Sequence, residues 1–250
     1  TGFLLPTLQI RTILQATTVR DRDEALKTLP SNLDEAFGGT MSRIEQQPNA
    51  LSEKAGKIIA WIQLAERPLT VDELLCSLAI KDGDTCLNLR GIPVRKTLLN
   101  CCHGLAVIDQ ETSTVRLVHY SLQEHLRPQD QIFGVTKAKW HSKIARTCLT
   151  FLEFPSVPAR EAPEQNNRTI TLPFYASTQW GHHLRRSDNS SDTTMELAKR
   201  YLYNGLANNF ESLRLLYEAM YPYDYQRLLD QVSAAHIVAF FWAFLESCPT

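Results

Sequence analysis

The chain has 250 residues, of which 44% are hydrophobic and 21% charged; this composition is ordinary for a globular protein and excludes wholesale disorder. Its formal net charge of -1 argues against a strongly basic nucleic-acid-binding protein. The six cysteines include no CxxC pair, and there is no signal peptide or membrane-length apolar run, so the sequence predicts a cytoplasmic protein with reduced thiols and no membrane contact.

The first 48 residues are predicted to form three helices. Apolar residues at helical spacing indicate one helix over residues 3–16 and a shorter one over 21–29. Ser31 is the expected N-cap of the third helix. The apolar face of that helix is formed by Leu33, Phe37, Met41 and Ile44. The pair Gly38-Gly39 weakens it, because glycine in a helix interior costs about 1 kcal/mol relative to alanine.

Three further helices are predicted between residues 49 and 104. A wide apolar stripe over 51–65 indicates a well-buried helix. Thr70, with Glu73 three residues later, has the spacing of a capping box at the start of the next helix. Pro93 is expected in the first turn of the third helix, where proline is favoured because its missing N–H is not needed.

A β-hairpin is predicted directly after these helices. Residues 105–108 and 115–119 read as two strands joined by a polar turn, and residues 120–126 return to helix. Three helices followed by a hairpin is the order of a winged helix, with the hairpin as the wing. The second and third helices would form a helix-turn-helix.

The rest of the chain is predicted to be a helical arm. Residues 136–152 place one apolar face on a helix. That face consists of Trp140, Ile144, Cys148, Leu149 and Leu152. An aromatic helix over 173–184 and a polar linker over 187–194 follow, and the last predicted helices cover 195–204, 210–221 and 225–232. The fold class is therefore mainly α: a winged helix flanked by helical segments.

Four motifs, taken in chain order, resemble a known family. Residues 29–37 (LPSNLDEAF) are similar to the motif that closes the NACHT module of fungal STAND-type NTPases. Residues 59–75, with WI, RPLT and EL, resemble the winged-helix domain named after the GPI inositol-deacylase family. Residues 118–126 (VHYSLQEHL) and 172–183 (LPFYA and WGHH) resemble the two motifs that follow in that family, except that His125 replaces the usual aromatic residue.

The resemblance implies four segments. Residues 1–48 would be the C-terminal helices of the NACHT module, 49–127 the winged helix, and 128–231 the helical arm. Residues 232–250 would be a truncated, degenerate first ankyrin-like repeat, because SAAHIVA is similar to the entry of an ankyrin array. The missing initiating methionine and the abrupt end also lead us to expect a piece of a longer protein.

The function implied by the resemblance is regulatory. The chain would hold the upstream nucleotide-binding module closed and connect it to C-terminal sensor repeats, as in fungal non-self recognition or programmed cell death. Those two elements would be its partners within the longer protein, and the resemblance also allows a homo-oligomer of the full-length protein. ADP or ATP would be bound by the upstream module, so we expect no cofactor within this chain.

Catalytic and metal-binding signatures are not found in the sequence. It contains no P-loop, no GxGxxG and no G-x-S-x-G nucleophile elbow, so we expect a chain that is not an enzyme and has no catalytic residue. Cys101, Cys102 and His103 are adjacent and have no second ligand pair at metal-binding spacing. We therefore predict no metal site.

His119 is the candidate site residue. The resemblance places it where the winged-helix histidine of STAND proteins contacts the β-phosphate of ADP and locks the closed state. An imidazole can donate a hydrogen bond to a phosphate, and a helix N-terminus favours an anion. The alternative is a histidine that only caps the junction between strand and helix. Ser121 and Glu124 have capping-box spacing and are expected to form a local cap.

A winged helix that binds DNA is the second hypothesis. Such a domain reads DNA through its third helix. Here that helix offers Arg95 and Lys96, with Arg90 just before it. Phosphate contacts dominate DNA affinity and two or three cations are few, so we expect no nucleic-acid partner.

Overall fold

The computed structural model describes residues 3–154, 172–188 and 192–202, and these are mainly helical. The N-terminal block contains helices α1 (Leu4–Gln15), α2 (Val19–Lys27) and α3 (Leu33–Glu45). All three were predicted, and their ends differ from the expected ones by one or two residues. Helix α3 buries Phe37 and Ile44 completely, which confirms its predicted apolar face.

The N-cap of α3 is Asn32, so the prediction of Ser31 was wrong. The Asn32 side chain accepts a hydrogen bond of 2.9 Å from the Glu35 N–H. The backbone N–H and the hydroxyl of Ser31 instead bind the Glu35 carboxylate. Both residue types are good caps, but the Ser31 hydroxyl is bound to the Glu35 carboxylate, and Asn32 accepts from the N–H at the N3 position.

The Gly38-Gly39 pair does not interrupt α3, which runs through both positions. A Cβ atom added at either glycine would meet nothing within 4 Å. Close packing therefore does not explain the two glycines, which leave this helix weaker than alanine would.

The winged helix follows as predicted, with one additional strand. Its helices are α4 (Asn49–Leu64), α5 (Val71–Ala79) and α6 (Arg95–Cys101), with a 3-10 turn at Leu89–Gly91. Its strands are β1 (Leu69–Thr70), β2 (Ala106–Asp109) and β3 (Thr114–Leu117), and helix α7 (Tyr120–Leu126) follows them. The sheet is antiparallel in the order β1-β3-β2.

Strand β1 was missed because it has only two residues and also forms the start of α5. Leu69 pairs with Val115 of the wing, and the Val71 N–H donates to the Ser113 carbonyl at 3.0 Å. The wing is therefore attached to the turn between α4 and α5. The predicted capping box of Thr70 and Glu73 is confirmed.

Pro93 lies just outside α6, so its predicted first-turn position was wrong. The helix begins at Arg95, and Val94 is its N-cap, with extended backbone angles of φ -75° and ψ 145°. The chain thus stays extended for one residue after the proline before the helix starts. Helix α6 ends at Cys101 with Cys102 as its C-cap, and the chain leaves it through two left-handed residues, His103 and Gly104, with φ 47° and 82°.

The helical arm begins with a small hairpin that the sequence analysis missed. Strands β4 (Gln131–Ile132) and β5 (Val135–Thr136) are joined by Phe133 and Gly134, which have φ values of 50° and 68°. Two consecutive residues with positive φ match the right-handed twist of a two-residue hairpin. The Trp140 indole N–H donates to the Ile132 carbonyl at 3.0 Å, which fixes the hairpin on the following helix.

Three helices of the arm are described: α8 (Lys137–Leu152), α9 (Leu172–Arg185) and α10 (Asp192–Arg200). All five residues of the predicted α8 face are buried. The polar linker predicted over 187–194 ends earlier than expected, because α10 already includes Thr193 and Thr194. Thr194 is 1% exposed, so packing rather than polarity decides its conformation.

One hydrophobic core runs through the winged helix and the arm. It includes Ile58 and Ile59 of α4, Leu74 of α5, Cys148 of α8 and Tyr175 of α9. Burying one large apolar side chain contributes about 1.5–3 kcal/mol, so packing of this kind dominates the stability of the fold. Within the described ranges, no helix is both long and apolar enough to cross a membrane. The helices predicted over 210–221 and 225–232 and the repeat over 232–250 lie outside the described residues.

Candidate functional site

His119 is the N-cap of α7 and has an extended backbone, with φ -158° and ψ 152°. Its Nδ1 atom accepts a hydrogen bond of 3.2 Å from the Ser121 backbone N–H and lies 2.9 Å from the Ser121 hydroxyl oxygen. The imidazole also lies against the Tyr120 ring, with 4.4 Å between the ring centroids. The side chain is half-buried, so three neighbouring contacts hold it in one orientation.

The predicted capping role of Ser121 and Glu124 was therefore wrong, because His119 takes that position. Ser121 is the second residue of α7 and lies too far into the helix to cap it.

The cap made by His119 decides which ring nitrogen carries its proton. Since Nδ1 accepts the cap hydrogen bond, a neutral His119 must carry its proton on Nε2. Among the described residues none accepts a hydrogen bond from Nε2. Capping the helix and donating to a phosphate are thus compatible roles for one imidazole.

His125 joins the winged helix to the N-terminal block. Its Nδ1 atom lies 2.7 Å from an Asp34 carboxylate oxygen, and its ring packs on Phe37 with 5.6 Å between the centroids. Asp34 and Phe37 belong to the LDEAF part of the first motif, and His125 belongs to the third. The His125 side chain therefore makes both a polar contact and a ring contact with α3.

The second motif forms a buried ion pair at the turn between α4 and α5. The two terminal nitrogens of Arg67 donate to the two Glu73 carboxylate oxygens at 2.9 and 2.6 Å. Glu73 is 2% exposed and also accepts from the Thr70 N–H at 2.9 Å. The guanidinium lies over the Tyr175 ring of α9, 5.1 Å from its centroid. The residues of the motif RPLT-x-x-EL thus form one ion pair, one capping box and one contact with the arm.

A chain of polar groups continues from this turn into the arm, and we call it the polar junction: the backbone N–H of Glu66 and the buried side chains of Tyr175, His183 and His141. The Glu66 N–H donates to the Tyr175 hydroxyl at 3.3 Å. That hydroxyl lies 2.8 Å from His183 Nε2. The Nδ1 atoms of His183 and His141 are 2.9 Å apart. The junction thus connects α9 to α8 on one side and to the winged helix on the other.

The positions of the hydrogen atoms in the polar junction can be inferred from the backbone N–H donor of Glu66. Besides that N–H, the polar neighbour of the buried Tyr175 hydroxyl among the described residues is His183 Nε2, so its hydrogen is satisfied only when it is directed there. His183 then carries its proton on Nδ1 and donates it to His141 Nδ1, which leaves the His141 proton on Nε2. In this arrangement each link has one donor and one acceptor, and both imidazoles are neutral.

Burial reinforces this neutral state. Burial lowers the pKa of His141 to about 4, with further contributions from the positive charges of Arg186 and Lys137. The pKa of His183 is also held well below its ordinary value, mainly by burial and then by His141. Burial raises the pKa of the Tyr175 hydroxyl, which therefore stays protonated. All three groups are uncharged at neutral pH.

His141 was missed by the sequence analysis, and His183 was noted only as a member of the WGHH motif. A local signal for His141 existed, because the helical period places it on the same side of α8 as Ile144 and Cys148. Its partner could not be inferred, since the two histidines are 42 residues apart in sequence.

The third helix of the winged helix is a poor DNA-binding surface. Arg95 pairs with Asp72 of α5 at 3.0 Å, so its charge is already compensated. Lys96 is exposed, but it is accompanied by exposed apolar side chains. These are Leu89, Val94 and Leu99. A surface of this kind lacks the run of free cations that contacts with DNA phosphates require.

Metal ligands are not grouped in the described part of the chain. No set of three or more His, Cys, Asp or Glu residues there has an arrangement that could hold a metal ion. The thiols of Cys101 and Cys102 are buried and not oxidised to a disulfide.

The three helices, the hairpin wing and the additional strand define a winged-helix domain. Residues 44–134 match the family model described as GPI inositol-deacylase, winged helix domain. This match covers the predicted segment 49–127 and extends to the β4–β5 hairpin. No curated protein and no solved structure matches the chain.

Proposed function

We propose that this chain is a non-catalytic, cytoplasmic regulatory segment of a NACHT-type signal-transduction NTPase. The winged helix would hold an upstream nucleotide-binding module in its closed, ADP-bound state. The helical arm would connect that module to C-terminal sensor repeats, in a protein of the fungal non-self-recognition or cell-death type.

The geometry of His119 is the observation that carries this proposal. Its Nδ1 atom is occupied by the cap of α7, so the Nε2–H is available as a donor in a fixed direction. A charge-assisted hydrogen bond to a phosphate oxygen needs a donor of this kind. ADP would supply the anionic oxygen, and His119 would contribute one contact to a site formed by the upstream module.

Two sets of contacts support movement of the segment as one block. Asp34 and His125 connect α3 to α7, and Arg67 and Tyr175 connect the winged helix to α9. A nucleotide that changes the position of the winged helix would therefore also move the arm. A switch of this type needs two discrete states, which the ligand stabilises to different extents.

Nucleotide content distinguishes this proposal from an independent function of the chain. We expect the longer protein, with its upstream module, to purify with about one ADP per molecule, and residues 1–250 alone to carry none. Nucleotide released by acid and separated by chromatography gives both values. Stoichiometric nucleotide bound to residues 1–250 alone would show that the chain contains its own nucleotide site and would contradict the proposal.

The alternative, a DNA-binding transcriptional module, predicts a different result. We expect residues 1–250 to bind duplex DNA no more tightly than a protein of similar size and charge at physiological salt. Lys96→Glu should leave that weak binding unchanged, because α6 makes no phosphate contacts in our proposal. Sequence-specific binding that falls steeply with salt and is lost in Lys96→Glu would favour the DNA-binding function.

A further inference from the structure

The polar junction contains two histidines that face each other inside the protein. His183 is fully buried and His141 is 6% exposed, and their Nδ1 atoms are 2.9 Å apart. Of two imidazoles in this arrangement, only one Nδ1 atom can carry a hydrogen. An additional proton on either imidazole therefore disturbs the hydrogen-bond arrangement of the junction.

Protonation of either histidine would break a link of the junction. A second proton on His141 would enter at Nδ1 and either meet the N–H of His183 head to head or move the His183 proton to Nε2, which then no longer accepts from Tyr175. A second proton on His183 would enter at Nε2 and remove the acceptor of the Tyr175 hydroxyl. In both cases a buried group loses its partner at the moment when a buried charge appears, and both changes are unfavourable.

The charged groups around the pair do not stabilise an imidazolium. Lys137, the first residue of α8, and Arg186, the residue after α9, act on His141 as positive charges. On the winged-helix side, Glu66 pairs with Arg186 and Arg67 pairs with Glu73, so these carboxylates are already engaged. His182, the neighbour of His183 on α9, would add a further positive charge in acid.

The junction is also where the arm meets the winged helix. Tyr175 binds the Glu66 N–H, and the Trp61 ring of α4 lies 5.8 Å from the Tyr175 ring and 6.4 Å from the His183 ring. When the hydrogen bonds of the two histidines are disturbed, the contact between α9 and the winged helix is therefore weakened directly.

We propose that the His141–His183 pair is an acid-sensitive latch, which holds α9 against the winged helix at neutral pH and releases it when either imidazole is protonated. This inference requires no nucleotide and goes beyond the proposed function. The latch is closed above the ordinary histidine pKa of about 6.5 and opens as the pH falls below it. The direction follows because the open state binds protons that the closed state excludes.

The pH dependence of the opening equilibrium that comes from His141 alone is large. If His141 titrates near 6.5 when open and at about 4 when closed, the equilibrium for opening rises about 20-fold between pH 7 and pH 5. Protonation of His183 adds to this change in the same direction.

Hydrogen exchange of residues 1–250 at pH 7, 6 and 5, corrected for intrinsic exchange rates, tests the latch. We expect α9 and the Glu66–Arg67 turn to lose protection about 20-fold or more, while β2 and β3 change much less. The His141→Gln/His183→Gln double variant should lose this pH dependence. His182→Gln, which changes the neighbouring histidine on the same helix, should retain it.

Three results would overturn the proposal: unchanged protection of α9 between pH 7 and 5, equal loss in the wing strands, or wild-type pH dependence in the double variant. If the double variant does not fold, nitrogen NMR of the wild-type imidazoles decides. The latch requires a proton on Nδ1 of His183 and on Nε2 of His141 at pH 7. It also requires both rings to become charged only in the pH range in which α9 opens, and ordinary titration without opening contradicts it.

Discussion

Arg67→Ala is expected to lower the free energy of unfolding by about 3 kcal/mol, the lower end of the range for breaking a buried ion pair. Glu73 is 2% exposed, and without the guanidinium its carboxylate keeps only the Thr70 N–H of its cap. The lower end applies because the Arg67 side chain is 32% exposed, so water can partly replace the lost partner. The variant also loses the contact of the guanidinium with the Tyr175 ring.

Arg95→Ala is the matched control for this measurement. It also removes an arginine that pairs with a carboxylate of α5, but the Arg95 side chain is 56% and the Asp72 side chain 24% exposed. An exposed pair contributes about 0–1 kcal/mol, so this variant should remain close to wild type. Urea unfolding of both variants, with unchanged m-values, gives the comparison.

A double variant shows whether the uncompensated charge of Glu73 causes the loss of stability in Arg67→Ala. Glu73→Gln combined with Arg67→Ala should lose less stability than Arg67→Ala alone, because a buried amide is less unfavourable than a buried, unpaired carboxylate. Equal losses in Arg67→Ala and Arg95→Ala would show that burial of Glu73 has no energetic consequence.

Much of this fold could be predicted from the sequence because its signals are local. The apolar period of α8, the capping box at Thr70 and the order of three helices and a hairpin all depend on residues within a few positions of one another. The errors were also local: Asn32 and Val94 took cap positions that had been assigned one residue away or not at all.

What could not be predicted depends on contacts between distant parts of the chain. Glu66 and Tyr175 are 109 residues apart, and His125 and Asp34 are 91 apart. No periodic pattern encodes such pairs, and the two-residue strand β1 forms only because β3, distant in sequence, pairs with it. The motifs contained Arg67 and His183, but only the structure shows their partners, which are Glu73 for Arg67 and Tyr175 and His141 for His183.

If the proposed function is correct, His119→Ala in the longer protein shifts the ratio of closed to open states by about ten-fold to a hundred-fold toward the open state. A hydrogen bond to a charged group contributes about 1.5–3 kcal/mol, and a contact made only in the closed state stabilises that state alone. Weaker retention of ADP and activity without a trigger should follow.

The alanine variant has a second effect, because it also removes the cap of α7. Loss of a cap costs about 1 kcal/mol of stability and could by itself loosen the winged helix. His125→Ala is not a neutral comparison, since His125 binds Asp34 and packs on Phe37. His119→Asn separates the two effects, because asparagine is among the best N-cap residues but has no Nε2–H.

The central measurement is therefore the amount of ADP that remains bound to the longer protein after purification, in the wild type, His119→Asn and Ser121→Ala. Ser121→Ala removes the hydroxyl beside Nδ1 and leaves the backbone donor and the imidazole in place. We predict about one ADP per molecule in the wild type and in Ser121→Ala, and loss of most of it in His119→Asn. Wild-type ADP content in a folded His119→Asn protein would contradict the account and leave His119 as a helix cap only.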